Sequence, residues 1–91
     1  VLPGAVEAAG AGLIPGGSKR NLRYVAAHLA FAERVAEPLL TVLADAQTSG
    51  GLLLAVPAEN SAALVAELGE GASCIGELRA GEAGRIVFGP E

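Results

Sequence analysis

The run from residue 15 to residue 21 gathers residue types that could bind an anion. It reads Pro15, Gly16, Gly17, Ser18, Lys19, Arg20 and Asn21. Two glycines free several backbone N–H groups to face one anion, and the polar side chains beside them add further donors. One interpretation is therefore a phosphate-facing loop. The alternative is a Pro-Gly turn followed by a solvated basic pair and a helix cap.

A second polar run covers residues 45 to 51. It consists of Asp45, Ala46, Gln47, Thr48, Ser49, Gly50 and Gly51. The two glycines would let a ligand or another chain approach the backbone closely. The alternative is a plain loop in which Asp45 caps an element or forms a turn.

The remaining reactive residues indicate neither a catalytic group nor a metal ligand. Cys74 is the one cysteine, and we expect a small buried apolar residue there rather than a nucleophile. His28 is the one histidine, and the absence of a His-x-x-x-His or clustered acidic pattern around it favours a structural role. Glu59, Glu67 and Glu70 are expected on the solvated face of a helix. No pair of a general base and a nucleophile stands out.

Two glycine patterns fall short of nucleotide-binding motifs. Gly10 and Gly12 would need a third glycine where Pro15 stands, and a preceding strand, to make a dinucleotide fingerprint. Between Gly12 and Lys19 the order Gly-Ser-Lys replaces Gly-Lys-Ser, which excludes a Walker phosphate loop.

Composition and charge exclude several other classes of protein. Ten acidic residues against six Lys and Arg give a formal net charge of −4, whereas a nucleic-acid module needs a basic face. The longest apolar run, Leu52 to Val56, is far shorter than the ~20 residues of a membrane span. One cysteine excludes a disulfide scaffold and, with no signal peptide at the start, favours the reducing cytoplasm. The start at Val1 and the 3% of aromatic residues suggest a piece of a longer polypeptide.

The pattern of glycines, prolines and apolar residues predicts short helices and strands. Helices are expected over Pro3 to Ala9, the second half of Phe31 to Leu43, and Glu59 to Gly69. Loops are expected over Gly10 to Asn21 and Ala44 to Gly50, and strands over Gly51 to Pro57, Ser73 to Arg79 and Arg85 to Phe88. Asn21 would cap a turn over Leu22 to Leu29, and Pro38 would either open its helix or kink it.

Strand 51–57, the helix after it and strand 73–79 would form a crossover, right-handed if the strands are parallel. Since Leu52 to Val56 does not alternate, we expect burial on both faces. The chain's helices would cover one face, and another domain, a missing segment or a second subunit the other. The predicted fold class is α/β (α+β), a partial mixed sheet with packed helices, in a single incomplete domain over residues 1–91.

Taken together, the two polar runs resemble the C-terminal part of selenophosphate synthetase (selenide, water dikinase). The resemblance is carried by Gly12 to Asn21, Asp45 to Val56, Ala72 to Leu78 with its Ile-Gly-Glu, and the opening Pro3-Gly4-Ala5. Two departures are mild: Ala46 stands where the family usually has proline, and Ser18 stands where threonine is common.

The resemblance implies a reaction in which ATP, selenide and water give selenophosphate, AMP and phosphate, with Mg²⁺ and a monovalent cation. It also implies the C-terminal domain of the aminoimidazole ribonucleotide synthetase-like fold, in a homodimeric enzyme. The family's reactive Cys or selenocysteine, its ATP-binding glycines and most of its metal-binding aspartates belong to an N-terminal ATP-binding domain. None of these has a counterpart in residues 1–91, so no cofactor is expected on this chain alone.

On this resemblance, the residues expected to line or support a cleft against that N-terminal domain are Gly16, Gly17, Ser18, Lys19, Arg20, Asn21, Thr48, Ser49 and Gly50. No catalytic residue and no metal ligand is assigned to the chain. The alternative is a non-catalytic binding or assembly domain of a related ATP-dependent member of the superfamily.

Overall fold

The computed structural model describes residues 1–89, which form two units. Unit 1 comprises Val1–Ser49 and the residues from Glu82 onward, and unit 2 comprises Gly50–Gly81. Unit 1 contains α1 (Ala5–Gly10), α2 (Gly16–Val25), a 3-10 helix (Ala26–His28), β1 (Leu29–Ala30), a second 3-10 helix (Ala32–Arg34), α3 (Glu37–Leu43) and β2 (Ile86–Val87). Unit 2 contains α4 (Ala58–Leu68). The mixed α/β class is confirmed, while the single domain over residues 1–91 stays a prediction.

Helices α1 and α3 pack against each other in unit 1. Helix α1 begins after Gly4, whose φ of 84° lies in the left-handed region that glycine tolerates. Ala9 on this helix is buried, and a Cβ at Gly10 would lie 3.8 Å from Cγ of Pro38 at the start of α3. The small residues of α1 therefore allow a close approach, and the predicted first helix is confirmed.

Helix α3 resolves the two roles that the sequence left open for Pro38. The helix begins at Glu37, so the proline lies in its first turn, where a missing N–H costs no intrahelical hydrogen bond. One turn later, the buried Thr41 donates its hydroxyl to the carbonyl oxygen of Glu37 at 2.9 Å. Pro38 thus opens the helix rather than kinking it.

The loop predicted over Gly10 to Asn21 is wrong from Gly16 onward, because α2 begins there. Pro15 immediately precedes the helix with a φ of −59°, which its ring fixes. Glycines cost little in a first turn, and the following Lys-Arg-Asn-Leu-Arg run contains several good helix formers. Asn21 therefore lies inside the helix, and the prediction that it caps a later turn is also wrong.

The strand pairing differs from the predicted crossover. Strand β2 confirms the centre of the predicted strand 85–88, but its partner is β1, which begins at the last residue of the predicted turn over Leu22 to Leu29. The two strands are parallel, with Leu29 opposite Ile86 and Ala30 opposite Val87. The N–H of Phe88 extends the pairing by donating to the carbonyl oxygen of Ala30 at 3.1 Å.

In unit 2, helix α4 confirms the predicted helix after the apolar run. Pro57 precedes its first residue, and Gly69, with a φ of 70°, ends it. The three glutamates expected in solvent are exposed: Glu59 and Glu67 lie on α4, and Glu70 lies just beyond its end.

The strands predicted on either side of α4 are wrong. Residues 51–57 and 73–79 form no strand in the part of the chain that the structure describes. Leu52 is 90% exposed, so its predicted burial is wrong as well, and Cys74 is exposed rather than buried. A strand forms only when a neighbour satisfies its backbone groups, and the described residues of unit 2 supply no such neighbour.

Among residues 1–89, no helix has the length and apolar character needed to cross a membrane.

Candidate functional site

Ser18 is the most deeply buried side chain of the first polar run. It lies in the first turn of α2 and is 1% exposed. Its hydroxyl donates a hydrogen bond to Oδ1 of Asp45, the residue that opens the second polar run. The two runs that the sequence singled out therefore meet through a partly buried hydrogen bond.

Asn21 makes the second link between the same segments. Its amide nitrogen donates to the carbonyl oxygen of Ala44 at 2.9 Å. Ser18 and Asn21 are three residues apart and so lie on one face of α2. This face holds the end of α3 and the start of the following loop.

The opposite face of α2 carries the charged side chains. Lys19, Arg20 and Arg23 are exposed there, as is Tyr24. A Cβ at Gly16 would lie 3.9 Å from Nη1 of Arg20, so this guanidinium reaches back toward the start of the helix. The arrangement concentrates positive charge where the helix dipole is also positive.

The start of α2 already has a negative partner in Asp45. The first N–H groups of a helix lack intrahelical acceptors, so a carboxylate placed there is electrostatically favourable. This contact makes Asp45 an internal counter-charge for α2. The sequence indicated a capping or turn-forming role for Asp45, but it gave no sign that its partner Ser18 lies in a helix that begins 29 residues earlier in the chain.

The candidate residues thus lie in different surroundings. Ser18 and Asn21 make contacts inside unit 1, while Lys19 and Arg20 face solvent. Thr48 and Ser49 are exposed at the end of the loop that Asp45 begins. Gly16 and Gly17 form the first turn of α2, and Gly50 belongs to unit 2.

An apolar groove of about 340 Å³ lies beside the Asn21–Ala44 contact in unit 1. Its walls come from α2, α3 and the residues in and beside the two strands, and they include Leu22, Val25, Leu40, Leu43, Ile86 and Phe88.

Within residues 1–89, no group of three His, Cys, Asp or Glu side chains is placed to hold a metal ion. The exposed side chains of the two polar runs can instead supply hydrogen-bond donors and positive charge, at Lys19, Arg20, Thr48 and Ser49.

Comparison with known proteins identifies relatives of this chain by sequence. No family model and no solved structure matches the chain. Selenide, water dikinase of Carboxydothermus hydrogenoformans is 44% identical over 88 residues, which cover 94% of this chain and 26% of that protein. The chain is homologous to a C-terminal portion of selenide, water dikinase.

A second relative gives the same result. Selenide, water dikinase of Nitratidesulfovibrio vulgaris is 48% identical over 81 residues, which cover 86% of the chain and 23% of the relative. The chain therefore spans about a quarter of the length of the curated selenide, water dikinases that it matches. The resemblance drawn from the two polar runs is confirmed.

Proposed function

We propose that this chain is the C-terminal portion of a selenide, water dikinase, which makes selenophosphate, AMP and phosphate from ATP, selenide and water. The similarity over 94% of the chain supports this function. The remaining three quarters of such a protein would bind ATP and Mg²⁺. The chain would take part as the domain that closes over that nucleotide-binding portion.

Lys19 and Arg20 are the residues that we assign to the phosphate groups. Both are exposed, and both lie near the N-terminal end of α2. Positively charged side chains that already lie beside the oxygens of a transferring phosphoryl group stabilise the negative charge that these oxygens carry in the transition state. The exposed hydroxyls of Thr48 and Ser49 would add neutral donors to the same phosphate-facing surface.

Ser18 and Asn21 act as positioning residues in this proposal. Their hydrogen bonds fix Ala44 and Asp45 against α2, and the loop that carries Thr48 and Ser49 starts at this point. Because the start of the loop is already held in place, the loop loses less conformational entropy when it binds a ligand.

Three further expectations belong to the same proposal. The parent enzyme is a homodimer, and its C-terminal domain has the aminoimidazole ribonucleotide synthetase-like fold. The free thiol of Cys74 is compatible with the reducing cytoplasm, where we place the enzyme.

A chimeric enzyme tests this function directly. Residues 1–91 replace the aligned segment of the Carboxydothermus hydrogenoformans enzyme, and selenide-dependent formation of AMP from ATP is measured. The expected result is AMP formation that requires selenide. A folded chimera that binds ATP but forms no AMP would contradict the proposal and would favour the non-catalytic binding or assembly domain.

Substitutions in the same chimera test the phosphate-facing residues. Lys19→Ala and Arg20→Ala should each lower kcat/KM for ATP by about tenfold or more, since each removes a charge from the phosphates. Arg23→Ala is the matched control, because it removes an exposed cation one turn further along the same helix. Equal effects of all three substitutions would reduce Lys19 and Arg20 to surface charges.

A further inference from the structure

Unit 1 contains a second hollow, of about 250 Å³, at the end of the strand pair where β1 and β2 begin. Its polar lining consists of His28, Glu82 and Arg85. The remainder of the wall is mainly small apolar side chains, at Ala27, Ala30 and Ala83. The hollow uses none of the residues in the first turn of α2.

The strand register explains why His28 and Arg85 line the same hollow. Leu29 lies opposite Ile86 in a parallel pair, so each of the two residues stands one position before a paired one. Adjacent strands are about 4.8 Å apart. His28 and Arg85 consequently line one hollow although 57 positions separate them in the sequence.

Gly84 brings the turn before β2 against the imidazole. Its φ is 83°, a conformation that residues with a Cβ rarely adopt, and a Cβ there would lie 3.8 Å from Nδ1 of His28. This glycine lies between Glu82 and Arg85. Glu82 and Arg85 thus flank, in the sequence, the glycine that lies close to the imidazole, and both line the same hollow as His28.

The three polar side chains differ in the hydrogen bonds that they can make with a ligand. Arg85 only donates hydrogen bonds, the imidazole of His28 can donate one, and an ionised Glu82 only accepts. A guanidinium matches two oxygens of an oxyanion. A carboxylate beside it disfavours a fully deprotonated anion but accepts a hydrogen bond from an oxyanion that still carries a proton.

We infer that this hollow binds inorganic phosphate. Arg85 and His28 donate to the phosphate oxygens, and Glu82 accepts from the P–OH group that inorganic phosphate keeps at neutral pH. Sulfate has the same shape but no such proton, so it leaves the carboxylate of Glu82 facing an anion oxygen. The site is consequently selective for phosphate over sulfate.

The single histidine makes the test direct, because the imidazole signals in an NMR spectrum of the 91-residue chain belong to His28 alone. The chain is titrated with inorganic phosphate and, separately, with sulfate, at pH 7 and constant ionic strength. We expect a saturable shift of these signals with phosphate and an apparent affinity at least five times lower for sulfate. A response that is linear in concentration, or equal saturation by both anions, would overturn the inference.

Three variants assign the individual roles. Arg85→Ala should abolish the saturable response, and Glu82→Gln should remove the preference for phosphate while retaining binding. Arg23→Ala on α2 removes the same charge elsewhere and should change neither titration, with circular dichroism confirming that each variant is folded. An Arg85→Ala chain that still saturates with phosphate would refute the site. The test needs neither selenide nor ATP, so its outcome is independent of the proposed enzyme activity.

Discussion

The start of α2 and the segment from Leu52 to Val56 show opposite relations between sequence pattern and structure. The start of α2 has the pattern of an exposed, glycine-bearing loop, yet it contains Ser18, which is 1% exposed. The segment from Leu52 to Val56 has the pattern of a buried strand, yet Leu52 is 90% exposed. The start of α2 has a hydrogen-bond partner within unit 1, whereas the segment from Leu52 to Val56 is exposed to solvent.

The difference follows from where the partners of each segment lie. Ser18 needs one hydrogen-bond acceptor, and Asp45 supplies it from the same unit. A strand such as 51–57 needs backbone partners along its edge and cover for its side chains. The relatives are about four times longer than the aligned segment, so most of their sequence lies outside the part that this chain supplies.

Ser18→Ala should produce the largest loss of stability that this comparison predicts in the 91-residue chain. Alanine removes only the hydroxyl, so the half-buried carboxylate of Asp45 loses its hydrogen-bond donor. The expected decrease in the free energy of unfolding is about 1–3 kcal/mol, measured by urea denaturation of the 91-residue chain. Ser49→Ala is the control, since this exposed serine should change stability by less than about 0.5 kcal/mol.

A double-mutant cycle makes the same prediction sharper. Combining Ser18→Ala with Asp45→Asn should give less than the sum of the two separate losses, because the two side chains share one interaction. Strictly additive losses would show that the contact contributes nothing, and the contrast with Leu52 to Val56 would then fail.

Asn21→Ala should produce a smaller loss. The hydrogen bond to Ala44 is exposed, and a typical bond of this kind contributes about 0.5–1.5 kcal/mol. Alanine recovers part of this loss because its helix propensity exceeds that of asparagine. A net decrease of about 0.5 kcal/mol is expected in the same denaturation measurement.

Arg23→Ala is the control for Asn21→Ala, because it introduces alanine on the same helix away from the link to Ala44. Arginine and alanine differ little in helix propensity, and Arg23 is exposed on the other face of α2. This variant should therefore leave the free energy of unfolding almost unchanged. A gain in stability for Asn21→Ala would mean that the hydrogen bond to Ala44 contributes less to the free energy of unfolding than the difference in helix propensity does.

Local signals in the sequence were enough to predict that helices α1, α3 and α4 exist. Gly69 also indicated where α4 ends, whereas the role of Pro38, which lies in the first turn of α3, was left open between opening and kinking the helix. At Pro15 the same signal was present, but the two following glycines favoured a loop. Packing against α3 decided the outcome there, and such packing cannot be read from a run of seven residues.

Long-range pairing accounts for what the sequence could not predict. The strand pair joins residues 29–30 with residues 86–87, and two residues are too few to show an alternating pattern. The contact between Ser18 and Asp45 spans 27 positions. The sequence identified both polar runs as candidates, but only the fold shows which of their side chains bind each other.

Leu53→Ser should have the smallest effect in the isolated chain and a much larger one in the chimeric enzyme. Leu53 is 81% exposed, as is Leu2 in unit 1, which makes Leu2→Ser a matched control. In the 91-residue chain, both substitutions should change the free energy of unfolding by less than about 0.5 kcal/mol.

In the chimera, the rest of the enzyme is available to cover the apolar segment. Burying a leucine side chain contributes about 1.5–3 kcal/mol, so Leu53→Ser should destabilise the chimera by that amount while Leu2→Ser does not. Equal and negligible effects in both proteins would mean that the segment stays in solvent even when the rest of the enzyme is present. The segment from Leu52 to Val56 would then be an ordinary exposed apolar surface, and its exposure in the 91-residue chain would not result from a missing partner.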